Sequence, residues 1–472
     1  MGGRRTLTVG ALFGALIVGA AVLVELQPLH DNSFLTHLAT GRIILDRGTV
    51  PSTDPYTFTA AGEPWVVQSW LASVVYAGLE SVAGLEGLRA FAGLAAGSLA
   101  AVAWRILRPI DGLVARLAIG SLFVAVGAGL WAERPLMVGL VAFALVVLAA
   151  EGGLDPRWLV PLGWLWVNAH GSFPLGLVYL AVVAIGTRLD GGDGRRELRC
   201  LQWAALGVAV GAAGPLGVRA LTFPLELLQR QDVLRHVVEW QAPAFDSLSQ
   251  RAFLAQLLIA IGLLARRPSY RHGVVLAVFT AAALLGSRNL AVASIAMLPG
   301  LAAALGGLGS IRTDLRPTGA KLLAGVMALA AVAMVVGRLN EPPLRLDAYP
   351  VDVLAYLDEG GVDLETVHLA APEFVGNLMT FVYGPGRRVF YDDRFDMFPR
   401  DVSRAAVALT DGTPTVFRDL AAYDIDLLAA RRDSSMALVL TGTDRWRVLF
   451  TDEQWVLACR RGAALGGSLR RC

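Results

Sequence analysis

Two carboxylates and a scattered set of arginines and histidines are the residues of this chain best suited to chemistry. Asp31 stands just beyond an apolar run, in His30-Asp31-Asn32-Ser33, and Asp54 follows in Val50-Pro51-Ser52-Thr53-Asp54-Pro55-Tyr56. An acid just outside an apolar run suits a general base that takes the proton of an attacking hydroxyl. Asp54 precedes a proline, a position that equally suits a turn cap. Arg42, Arg134 and Arg288, with His37 and His170, are candidates to hold a phosphate, because a guanidinium forks onto phosphate oxygens and an imidazole can donate to them. Glu239-Trp240 pairs an acid with an indole, the combination that hydrogen-bonds and stacks on a sugar. Each of these has a plainer reading as a loop carboxylate, an interfacial arginine or tryptophan, or a satisfied structural histidine.

The chain that must position them has 472 residues, 55% of them hydrophobic and 17% charged, with a mean hydropathy of +0.56. Soluble globular proteins rarely run so apolar, so a bilayer is the expected solvent for much of it. Apolar runs near spanning length occur at Leu7–Leu26, Leu88–Ile106, Leu113–Trp131, Leu136–Ala150, Trp158–Val167, Phe173–Thr187, Leu201–Ala213, Phe253–Leu264, Gly273–Leu285, Leu290–Leu308 and Leu322–Val336. The first is read as an uncleaved span, since no small-x-small cleavage site precedes the polar stretch near His30. A further run, Trp65–Leu85, carries Gln68, Ser69, Ser73 and Glu80 and is amphipathic.

Placing that run on the outer surface puts every short basic connector on the cytoplasmic side, with Arg4 and Arg5. These connectors hold Arg105, Arg108 and Arg116; Arg188, Arg195, Arg196 and Arg199; Arg266, Arg267 and Arg271; and Arg312, Arg316 and Lys321. The expectation is an all-α polytopic bundle of about 11 transmembrane helices in the plasma membrane. Its N-terminus is cytoplasmic and its C-terminal domain extracytoplasmic. The polar segments Gln27–Leu88, Trp131–Pro135, Asn168–Ser172, Gly214–Arg251 and Ser287–Asn289 then share the outer face, while the inner connectors carry little beyond charge.

Beyond the linker Asn340-Glu341-Pro342-Pro343 the apolar runs shorten. Helices are predicted at Val351–Leu357, Phe374–Val382 and Pro414–Tyr423, and strands at Val367–Ala371, Arg388–Tyr391, Asp426–Ala430, Trp446–Thr451 and Trp455–Arg460. The domains are thus a membrane domain, 1–338, with an outer loop, 28–87, bearing juxtamembrane helices, and a small α/β domain, 339–472. The acidic turn Asp392-Asp393-Arg394-Phe395-Asp396 is read first as a hydrogen-bonded structural network, with a metal or sugar site as the sharper alternative. Cys200, Cys459 and Cys472 match neither a zinc spacing nor a disulfide framework. A single lysine and the lack of a basic stripe interleaved with aromatics argue against nucleic acid as a partner.

Several stretches carry a resemblance. They are Asp31 with His37-Leu38-Ala39-Thr40-Gly41-Arg42, the turn Val50-Pro51-Ser52-Thr53-Asp54-Pro55-Tyr56, Arg134-Pro135, Trp166-Val167-Asn168-Ala169-His170-Gly171-Ser172-Phe173, Glu239-Trp240, Ser287-Arg288 and Val389-Phe390-Tyr391-Asp392-Asp393-Arg394-Phe395-Asp396. In this order they resemble a large set of bacterial multi-spanning membrane proteins of the glycosyltransferase C (GT-C) architecture. The resemblance implies an inverting transferase that takes sugar from a polyprenyl-phosphate donor at the outer face. The acceptor would be an envelope glycan, lipid or protein. It makes Asp31 the base, with Asp54 as the second candidate acid. His37, Arg42, Arg134, His170, Glu239, Trp240 and Arg288 would line the substrate site. The family often has a second acid where this chain has Ser33, so Asp31-Asn32-Ser33 does not support a divalent metal, and no cofactor is implied. A non-catalytic membrane scaffold or binding subunit of polysaccharide assembly is the competing class. A transporter is disfavoured by the lack of internal repeats.

Overall fold

The computed structural model describes residues 9–307, 317–413 and 415–472. Arg4, Arg5, Leu7, Leu308, Arg312, Arg316 and Pro414, which enter the expectations above, lie outside the described residues. The chain divides into two compact units. One holds the chain up to Leu29 with Leu79–Leu225 and Val237–Leu344; the other holds His30–Gly78, Glu226–His236 and Arg345–Cys472. The C-terminal domain is therefore discontinuous, taking in most of the loop after the first apolar run and a short segment from mid-chain.

The first unit is a helix bundle. The apolar runs lie within helices that include Val9–Glu25, Leu113–Gly127, Leu136–Ala150, Leu159–Ala169, Pro174–Leu189, Arg195–Gly211, Leu248–Arg266, Tyr270–Leu285, Leu290–Leu305 and Pro317–Leu339. Its centre is apolar and close-packed. Phe143, Tyr179 and Phe279 form an aromatic trio with centroids 5.5, 5.6 and 5.9 Å apart. Gln256 and Ser294 satisfy each other inside it, the Ser294 hydroxyl donating to the Gln256 side chain at 2.6 Å.

The number of spans corrects the expectation. Among the described residues four helices are long and apolar enough to cross a membrane: Trp70–Ile106, Leu248–Arg266, Ser287–Leu305 and Lys321–Leu339. Among the described residues the other apolar helices are shorter. A helix rises 1.5 Å per residue, so 15 residues reach only about 22 Å against a hydrocarbon core of about 30 Å. Leu136–Ala150, at 15 residues, is of this kind. Much of its apolar surface is buried by neighbouring helices, so its hydropathy reports a protein core. Lys321–Leu339 is the opposite case, with Leu322 and Leu329 at 71% and 72% exposed. Trp65–Leu85 is helical from Trp70 and is separated by a kink from the apolar helix that follows. Trp70–Ile106 is helical throughout except at Gly84, whose φ of 60° breaks it near the point where amphipathic sequence gives way to apolar sequence.

The bundle has two chemically different ends. At one, Arg271 joins Glu151 and Glu197, and Arg267 donates to the Gly306 carbonyl at 2.8 Å. At the other, the turns around Arg134, His170, Glu239 and Ser287 gather, as described below.

In the second unit, β1 (Leu369–Ala370) pairs parallel to β2 (Leu427–Arg431). Antiparallel β3 (Trp446–Thr451) and β4 (Trp455–Arg460) complete a sheet of order β1-β2-β4-β3. Central β2 and β4 are buried along nearly their whole length, as expected of strands covered on both faces. The segment Arg388–Tyr391 is not a ladder strand; Val389 makes only an isolated bridge to Thr57. Helices Arg400–Asp411 and Ser435–Thr441 were not anticipated. Nor was the disulfide between Cys459 and Cys472, whose Cα atoms lie 6.0 Å apart. The chain turns back after β4 through a small hairpin, Ala464–Gly466 with Arg470–Arg471, and this brings the two cysteines together.

Candidate functional site

The candidate residues divide between the units: Arg134, His170, Glu239, Trp240 and Arg288 belong to the helix bundle, and Asp31, His37, Arg42 and Asp54 to the other.

Within the bundle, three turns distant in sequence meet. Arg134 lies in the tight turn before Leu136–Ala150, where its carbonyl accepts from the Met137 N–H at 3.0 Å. Its guanidinium forms an ion pair with Glu239. Glu239 and Trp240 sit on the 3-10 turn Val238–Trp240, and Arg288 on the 3-10 turn Ser287–Asn289. Main-chain bonds clamp these two turns together. The Ser287 N–H donates to the Gln241 carbonyl at 2.8 Å and the Ser287 hydroxyl to the Glu239 carbonyl at 3.1 Å. This clamp sets the Arg288 guanidinium 4.4 Å from the centre of the Trp240 ring. A cation held on an indole face and a half-exposed arginine–carboxylate pair make a polar surface able to take an anion beside a ring-shaped ligand.

His170 comes to the same end of Leu136–Ala150. A Cβ on Gly139, in the first turn of that helix, would stand 2.5 Å from Ser172 Oγ and 3.2 Å from His170 Nδ1. The Trp166 indole donates to Ser172 Oγ at 3.0 Å, and Nδ1 lies 2.8 Å from that oxygen and accepts the Ser172 N–H at 3.2 Å. Nδ1 is therefore an acceptor, which leaves the ring proton on Nε2. Asn168 ties its helix to Arg195–Gly211 by donating to the Gly211 carbonyl at 3.1 Å.

In the second unit, Asp31 accepts the Ser33 N–H at 2.9 Å, at the start of helix Ser33–Arg47. His37 and Arg42 lie on that helix. His37 Nδ1 is 3.2 Å from Ser73 Oγ, and Arg42 stacks on Phe381 at 4.7 Å and donates to its carbonyl at 3.2 Å. Between them, Gly41 lets the helix touch the backbone at Ser73, since a Cβ there would stand 1.9 Å from the Ser73 carbonyl oxygen. The His37…Gly41-Arg42 pattern thus reads as a packing surface.

Asp54 is tied to structure. Its carboxylate accepts from the Tyr56 and Thr57 N–H groups at 3.2 and 3.0 Å, capping the turn, and pairs with Arg394 at 2.8 Å. Arg394 also meets Asp392 at 2.7 Å and lies between the rings of Tyr56 and Trp65, 4.8 and 4.4 Å from their centres. Two motif stretches recognised separately in the sequence are one buried lock. Burial works against the Arg394 charge, but Asp392 and Asp54 outweigh it and drive its pKa above the ordinary range. Burial also raises Asp392 against the pull of Arg394. Desolvation pushes the neighbouring Asp396 up to about 7, although its own N–H, Arg394 and Arg230 favour the anion. Arg230 joins the same region by donating to the Asp396 and Phe398 carbonyls at 2.7 and 3.0 Å, a contact that no motif foreshadows. Among the described residues no three His, Cys, Asp or Glu side chains form a metal-holding group.

Compared with protein-family models and with curated proteins, the chain matches neither a family model nor a curated protein.

Proposed function

We propose that this chain is an integral membrane protein that transfers a sugar from a polyprenyl-phosphate donor to an envelope acceptor at the outer face of the plasma membrane. The observation that carries the reading is the meeting of Arg134, Glu239, Trp240 and Arg288 from three turns far apart in sequence. In this reading the acceptor oxygen attacks the anomeric carbon, the bond to the phosphate oxygen breaks, and configuration inverts. Arg134 and Arg288 take the charge that develops on the departing phosphate. A carboxylate must receive the hydroxyl proton, the role that the resemblance gives to Asp31. Glu239 offers acceptor oxygens to sugar hydroxyls, and the exposed helix Lys321–Leu339 presents an apolar face suited to lipid.

Two features support the orientation. The arginine-bearing connectors of the bundle gather at one end, which suits the cytoplasm. The Cys459–Cys472 disulfide suits an oxidising compartment for the second unit. The competing reading is a non-catalytic scaffold or binding subunit. The burial of Asp54 and Asp392 in the lock favours it, because two motif acids are thereby kept from a substrate.

The test uses purified protein in nanodiscs with a polyprenyl-phosphate sugar. The transferase reading expects donor binding and release of polyprenyl phosphate when an acceptor is supplied. Binding without turnover on every acceptor tried would favour the scaffold, and absence of donor binding would remove both.

A further inference from the structure

A cavity of about 870 Å³ opens at the arginine-rich end of the bundle, away from the Arg134–Glu239 site. The two lie at opposite ends of helix Leu136–Ala150: Arg134 precedes its first residue, and Ala149 and Gly152 at its far end line the cavity. The helix alone separates them by roughly 22 Å.

Three arginines, Arg157, Arg196 and Arg199, line the cavity against one carboxylate, Asp155. That carboxylate is engaged in capping the turn Pro156–Trp158, accepting the Arg157 N–H at 2.9 Å. Among the described residues the three guanidiniums make no ion pair and no side-chain hydrogen bond. Nearby Arg271 is the contrast. It lines an adjoining cavity of about 560 Å³, but its guanidinium is taken up by Glu151, Glu197 and Thr187. Arg196 and Arg199 line both cavities. Gly152, at φ 78°, provides the floor on which Arg196 lies, since a Cβ there would stand 2.5 Å from the guanidinium. Unpaired guanidiniums converging on a cavity call for an anion with several acceptor oxygens, and a phosphate fits.

The surroundings favour a phosphate that carries hydrocarbon. Trp203 and Leu206 are among the apolar residues of the lining, and exposed apolar side chains continue along the same helix, with Leu206 at 47% and Val210 at 39%. Trp158, beside the cavity, is 63% exposed. Arginine, tryptophan and exposed aliphatic side chains in sequence make the arrangement that meets headgroup, interface and acyl chain.

We propose that this cavity binds the phosphate of an anionic phospholipid headgroup on Arg157, Arg196 and Arg199, with the acyl chains against Leu206 and Val210. The proposal rests on the membrane location put forward above, though not on glycosyl transfer. The test measures enrichment of phosphatidylglycerol around the protein in mixed phosphatidylcholine–phosphatidylglycerol nanodiscs by native mass spectrometry. Wild type is expected to retain phosphatidylglycerol, and Arg196→Gln with Arg199→Gln to lose about 30-fold in retention. Unchanged unfolding temperature guards against a folding artefact. Arg266→Gln, outside the cavity, should retain the lipid as wild type does. Equal retention by the double variant, or equal loss in Arg266→Gln, overturns the site. Complete displacement by millimolar inorganic phosphate would assign it to a free anion and overturn the lipid reading. Because the readout is lipid retention, a protein inactive in transfer still tests it.

Discussion

Two assemblies in this chain are built from the same parts and differ in burial. Arg394 is pressed between Tyr56 and Trp65 and against Asp54 and Asp392, with only 6% of its side chain exposed and both carboxylates at 0%. Arg134 and Glu239, beside Arg288 and Trp240, keep 27% and 38% of their side chains exposed. In the first, removing charges from water costs several kcal/mol per ion, and only close geometry with added hydrogen bonds offsets it. Such a group is committed to the fold. In the second, an ion pair near water contributes about 0–1 kcal/mol, so its arrangement says little about stability and leaves donors able to exchange water for a ligand. The same three residue types therefore serve as a lock in one place and as a candidate site in the other, and solvent access decides which.

The largest effect should come from breaking the lock. Arg394→Met leaves two buried carboxylates without their cation and should cost the second unit about 3–5 kcal/mol, read by denaturant unfolding. Arg134→Ala or Glu239→Gln should cost under about 1 kcal/mol in the same measurement. Similar losses for both sets would erase the distinction drawn here. Next comes the disulfide. Cys459→Ser with Cys472→Ser opens a 13-residue separation and should cost roughly 3 kcal/mol. Treatment of wild type with reductant should reproduce the loss, and a protein indifferent to reductant would show the crosslink to be dispensable.

The candidate site residues should respond in function instead. Arg288→Ala should weaken donor binding about 10-fold, a change of about 1.4 kcal/mol, with little change in unfolding. Asp31→Asn should slow transfer about 10²-fold while donor binding stays near wild type. A fully active Asp31→Asn protein would end its role as base. The smallest effect concerns Asp396. Its folded pKa, about 7, lies above the ordinary carboxylate value, so the folded state holds a proton that the unfolded chain has already lost. Stability from this group is fully present below about pH 4 and declines as pH rises to about 7. Asp396→Asn mimics the protonated form. It should be near neutral in acid and stabilising at pH 8, and a flat difference across that range would refute the assignment.

The sequence by itself determined what depends on neighbours along the chain. Apolar runs such as Leu136–Ala150 are helical because helix hydrogen bonds close within the segment. Asp54 before Pro55 caps a turn through N–H groups two and three residues away. The reading of Asp392-Asp393-Arg394 as a structural network was likewise available from composition. Tertiary structure alone decided the rest. Hydropathy does not distinguish a helix apolar because lipid surrounds it from one apolar because other helices do, so an expected eleven spans gave way to four helices of sufficient length among the described residues. Nor does spacing reveal which carboxylate an arginine will meet. Arg394 meets Asp54 across 340 residues, and Arg134 meets Glu239 across 105, because chain packing chose those partners. Long-range packing also sets how much water each pair keeps, and that quantity separates a lock from a site.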